Sequence, residues 1–124
     1  MKNFAEMTDT KLGNIYDGMK SDIAMKSLAW RFLAPAEKEN YLAEMAEIRQ
    51  EMIRRGIYIV ASFVNGSADE QDARMDQTEK SIARIREQMA KHEADGKMDR
   101  VYSDKLSLAE HMDKLDAMHQ ICGR

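Results

Sequence analysis

Between Asp9 and Leu33 the apolar residues Leu12, Ile15, Tyr16, Met19, Ile23 and Trp30, closed by Leu33, fall at helical spacing. Such spacing places side chains on one face of an α-helix, so a helix is predicted over 9–33, with a break near Ser21. Gly13 and Gly18 each cost about 1 kcal/mol relative to Ala inside a helix, so the first turns should form only when packed. Pro35 suits the first turn of a new helix, where its missing N–H is not needed, and Glu37 and Glu39 fit the positive end of the dipole. Tyr41, Leu42, Met45, Ile48, Met52 and Ile53 repeat the helical step, and Arg54, Arg55 and Gly56 supply closing signals, so the second helix covers 35–55.

Residues 57–64, IYIVASFV, support two readings. Their β-branched and aromatic content, ending in Asn65-Gly66, predicts a buried strand. Met45, Ile48, Met52, Gly56, Ile59 and Phe63, however, carry the helical period through the glycine, which predicts a continuation of the second helix. A lone strand needs a pairing partner, and no other segment offers one except a second copy of the chain.

The C-terminal half is more regular. Ser67 with Glu70 makes a capping box, and Met75, Thr78, Ile82, Ile85 and Met89 define a helix over 68–94. Asp95-Gly96-Lys97 turns the chain, and Val101, Lys105, Leu108, Met112, Leu115, His119 and Cys122 define a last helix over 99–122. So short a link makes the two antiparallel neighbours. Folding back at Gly96 sets Met89 beside Lys105, Ile85 beside Leu108, Ile82 beside Met112 and Thr78 beside Leu115. That seam is sparse, with Leu106, Met118 and Ile121 pointing off it. The N-terminal helices or a second copy must therefore cover it. The expected fold is all-α: a helical bundle with a C-terminal antiparallel hairpin, in a single domain over 1–124.

Composition narrows the class more than the function. At 124 residues the chain is long enough to bury a core without cross-links. Nineteen basic against 22 acidic residues give a net charge of -3, which supplies no bulk attraction to nucleic acid or anionic membrane. Cys122 is the only cysteine, so no intrachain disulfide forms. The acids Glu6 and Asp9 interrupt any apolar leader, and no stretch approaches a membrane span, so the expected location is the cytoplasm. Asn65-Gly66-Ser67 then reads as a turn rather than a glycosylation acceptor.

The chemical motifs dissolve on inspection. Gly13 to Ser21 resembles a phosphate-binding loop, but Met19 separates the second glycine from Lys20 and no strand precedes it. Around Gly96 a calcium-loop register would place Lys91 and Tyr102 at liganding positions. His119 and Cys122 share a helical face, with Asp72 or Met75 opposite, yet a closed zinc site wants four nitrogen or sulfur donors. His92-Glu93 lacks the second histidine of a metalloprotease motif. No catalytic residue, metal or cofactor is therefore expected.

What remains is surface. Trp30, Arg31 and Phe32 combine residue types enriched in binding hot spots, against a core reading of the two aromatics. Ile57, Tyr58 and Phe63 lie in a run too apolar to stay exposed, which predicts a homodimer interface over 57–64 that Phe63→Asp would dissociate, the alternative being cover by the N-terminal helix of the same chain. Eleven methionines, including Met19, Met45, Met52, Met75, Met89 and Met112, suit either an adaptable core or a repacking surface. Lys80, Arg84 and Lys91 run along one side of the third helix, where Glu87 can pair with Lys91. The expected function is a non-enzymatic protein-binding regulator or inhibitor acting through helical, Met-rich surfaces as a homo-oligomer. The alternative is a nucleic-acid-binding regulator using Lys80, Arg84 and Lys91, with Arg54 and Arg55 as further contacts.

Overall fold

In the computed structural model, which describes residues 3–124, Thr8 opens the first helix by accepting the Lys11 backbone N–H on its hydroxyl at 3.1 Å. Helix α1 spans Asp9–Met25, α2 Leu28–Arg31, α3 Pro35–Arg54, α4 Ala61–Val64, α5 Ala68–Ala94 and α6 Met98–Cys122, with a 3₁₀ turn at Phe4–Glu6. The described residues are all-α, with a C-terminal helical hairpin, and contain no strand. No helix among them is long and apolar enough to cross a membrane. The chain divides after Ile57 into two compact units.

In the N-terminal unit, Leu12, Tyr16, Met19 and Ile23 of α1 are buried, as are Met45, Ile48 and Met52 of α3. The predicted helix over 9–33 does break, but at Lys26 rather than near Ser21. Lys26 adopts a left-handed conformation (φ 51°), and the Ser27 backbone N–H returns to the Asp22 carbonyl at 3.0 Å. The Asp22 carboxylate fixes this corner, accepting from the Ser27 hydroxyl at 2.9 Å and from the Tyr41 hydroxyl at 3.0 Å. Burial and the hydrogen bond to Asp22 push the Tyr41 phenol well above its ordinary pKa, so it stays a neutral donor.

Helix α3 begins where Pro35 predicts, with Glu37 accepting the Ala34 backbone N–H at 2.9 Å. It ends at Arg54, and Gly56 takes the left-handed cap at φ 74°, where L side chains are strained. The Ile57 N–H then bonds to the Met52 carbonyl at 3.0 Å. Residues 57–64 are thus neither strand nor continued helix. The cap stops α3, residues 57–60 run irregularly, and only Ala61–Val64 coil into one turn.

The C-terminal unit is the hairpin of α5 and α6, turning at Gly96 (φ 69°), with 58–64 laid against it. Ser67 caps α5 by accepting the Glu70 N–H at 3.2 Å, and Gln71 holds α4 through the Phe63 carbonyl at 3.0 Å. Near the turn, His92 Nδ1 meets buried Asp104 Oδ2 at 2.5 Å, and Gln88 donates to Asp104 Oδ1 at 3.1 Å. At the open end, Arg124 reaches back to Asp72 at 2.9 Å and to the Ala68 carbonyl at 3.2 Å.

On the α5 side of the predicted seam Met75, Thr78 and Ile82 are buried but Ile85 and Met89 only half-buried, and the α6 side is rotated. Leu106 and Met118 are buried, Leu108 and Leu115 are half-buried, and Met112 is exposed. Met118 lines the same cavity as Ile59 and Phe63, so the segment before α5 lies over this part of α6. A segment of the same unit therefore covers part of the seam, a role assigned above to the N-terminal helices or a second copy.

Candidate functional site

The N-terminal unit splits the Trp30-Arg31-Phe32 triplet. Trp30 is 2% exposed and stacks edge-on against Tyr41, with ring centroids 5.3 Å apart, while Lys38 Nζ lies 5.4 Å from its ring centroid. Phe32 is 76% exposed, and the Arg31 guanidinium lies 5.1 Å from its ring centroid. Met25 at 78% and Leu28 at 68% join Phe32 in exposure, so three large apolar side chains stand out around the corner that Asp22 fixes.

Of the other predicted interface residues, Ile57 is exposed and Tyr58 is half-buried, its hydroxyl donating to the Glu110 carbonyl at 3.2 Å. Phe63 is 2% exposed and packs within its own unit. The demand for cover that suggested a second copy over 57–64 is thus met for Ile59 and Phe63 inside the C-terminal unit. Val60 and Val64 remain exposed. The methionines divide likewise: Met19, Met45, Met52, Met75 and Met118 are core, whereas Met25, Met98 and Met112 are exposed.

The basic residues serve largely local ends. Lys80 pairs with Asp76 at 3.0 Å, and Arg84 donates to the Ser81 hydroxyl at 3.2 Å, while Lys91 is exposed. Arg54 grips Glu51 with Nε at 2.7 Å from Oε1 and Nη2 at 2.8 Å from Oε2. Arg55 ties the end of α3 to Asp9 at 2.8 Å and to the Phe4 carbonyl at 3.0 Å. The hydrogen bond from Arg54, with the charges of Arg54 and Arg55, holds the Glu51 carboxyl below its ordinary pKa.

Gly13 and Gly18 lie within α1, so no phosphate-cradling loop forms there. His119 Nδ1 faces the Arg124 carbonyl and Cys122 Sγ the Met118 carbonyl, so this pair turns toward backbone. Among the described residues no group of three or more His, Cys, Asp or Glu gathers where it could hold a metal ion.

One concave site was not foreseen. A cavity of about 350 Å³ opens between α5, α6 and the segment before α5. Its apolar wall is Ile59, Val60, Phe63 and Met118, and its polar wall carries Arg74, Gln77, Thr78, Ser81, His111 and Lys114. The signal lay in the sequence as polar residues at helical spacing flanking each apolar stripe, 74, 77 and 81 on α5 and 111 and 114 on α6, with Thr78 of the stripe itself between them. Only the placement of 59–63 turns that flank into a hollow.

No family model, no curated protein and no solved structure matches the chain.

Proposed function

We propose that the protein is a non-enzymatic regulator that acts by binding a polypeptide through the apolar corner of Met25, Leu28 and Phe32. The observation that carries this reading is the exposure of all three on a corner whose backbone is held by Asp22, Ser27 and Tyr41. Exposed apolar clusters mark contact surfaces in soluble proteins, and each such side chain yields about 1.5–3 kcal/mol when fully covered. A corner already fixed by hydrogen bonds loses little conformational freedom on docking. Arg31 beside Phe32 adds a cation at the rim, which favours a partner offering acidic residues around an apolar centre. The same corner serves self-association if two copies meet through it.

The test is the double substitution Leu28→Glu with Phe32→Glu. Both side chains are exposed, so helicity and melting should stay those of the parent chain. The parent should self-associate in a light-scattering concentration series, or retain a defined protein in affinity capture from its host, and the double variant should lose that behaviour. If mass and captured protein are the same for both chains, the reading is wrong.

A further inference from the structure

We propose that the cavity of the C-terminal unit binds a small organic anion with an apolar body, held at its acid group by Arg74 and Lys114. The argument begins with the lining, which contains no carboxylate, so the two fixed cations face the hollow without an opposing acid in its wall. Arg74 comes from α5 and Lys114 from α6, so cationic groups flank the cavity from both helices. His111 donates from Nδ1 to the Ser107 carbonyl at 2.7 Å, because a carbonyl can only accept. In the neutral ring Nε2 is then an acceptor, so His111 lines the wall without donating to the acid group.

The apolar half is equally defined. Val60, 56% exposed, presents open apolar surface to the cavity, backed by the buried side chains of Ile59, Phe63 and Met118. A bare inorganic ion would leave that wall against water, whereas an aryl or short acyl body would cover it. The volume, about 350 Å³, equals the share of roughly a dozen water molecules and lies at the lower end of small-molecule sites. A bicyclic carboxylate is of suitable size. A second cavity, about 260 Å³, carries Glu79 and Asp116 alongside Arg86, so its charges offset one another and favour no anion. This inference does not depend on the protein-binding reading, and the two tests use different residues and probes.

The probe is 1-naphthoate, set against its neutral counterpart 1-naphthamide, added to the full chain and followed by the methyl resonances of Ile59 and Met118. Naphthoate should give saturable shifts and bind about tenfold more tightly than the amide, since charge-assisted hydrogen bonds are lost with the amide. Lys114→Gln and Arg74→Gln, both exposed positions, should each weaken naphthoate about tenfold with unchanged circular dichroism, and Lys114→Arg should restore most of the affinity. Absence of saturation up to solubility, equal binding of acid and amide, or unchanged affinity in both glutamine variants overturns the proposal. So does displacement of naphthoate by inorganic phosphate or a single-stranded oligonucleotide at equal concentration, which would make the site a phosphate surface.

Discussion

Glu51 shows how one side chain serves several ends. It is buried, it receives a two-pronged grip from Arg54, and Arg55 Nε lies 3.5 Å from its Oε2. Because its folded pKa lies below the ordinary 4.5, the unfolded chain binds the proton more readily across that interval. The stabilisation is present above about pH 4.5 and fades as pH falls through the folded value. Urea midpoints measured from neutral to acid should therefore drop in the parent chain, and Glu51→Gln should flatten part of that drop. Equal slopes in the two chains would remove Glu51 from the account. Sequence reasoning assigned Arg54 and Arg55 to the helix dipole and considered nucleic acid. The Arg54 grip lies within one helix turn and was open to the same spacing argument as Glu87 with Lys91, whereas the contact of Arg55 with Asp9, 46 residues away, left no local signal.

At the scale of elements, periodicity was a good guide where one helix packs on one neighbour and a poor one where a third piece intrudes. The bounds of α5 match the expectation, and α6 starts one residue early, because caps and turn residues mark these ends locally. The inward face of α6 was misjudged around Met118, since 58–64 approaches from outside the seam and no two-helix pattern encodes that. The same segment was misread because its β-branched residues and its helical register each ignore Gly56, whose positive φ ends α3. With Phe63 now a core residue, Phe63→Ala should cost about 3–5 kcal/mol in urea unfolding. Phe63→Asp should unfold its unit rather than part a dimer. A cost below about 1 kcal/mol together with a halved mass in light scattering would restore the interface reading.

For the whole molecule, the all-α class was readable from the 3.6-residue period alone, whereas the division after Ile57 was not, since Gly56 signals only a helix end. Of the residues singled out for binding, the structure keeps Phe32 and Ile57 at the surface and puts Trp30 and Phe63 in the interior. Aromatic composition is the same in both roles, so only the packing of neighbours such as Tyr41 on Trp30 separates them. The anion cavity was hidden for a related reason, being the product of three elements whose individual polar residues read as ordinary solvent faces.

The turn at Gly96 has a kinetic consequence. Because α5 and α6 meet across a link of three residues, their contacts lie close in sequence near the turn and close at little cost in chain entropy. Assembly of the C-terminal unit should start there and zip toward the Arg124 clamp, on the fast side of the range for small proteins. Gly96→Ala, which forces a side chain into positive φ where space is otherwise open, should destabilise by about 1 kcal/mol. In stopped-flow measurements nearly all of that loss should fall on the refolding limb, slowing it about fivefold while unfolding keeps its pace. A change confined to the unfolding limb would place the nucleus elsewhere, with the hairpin tip among the last parts to form.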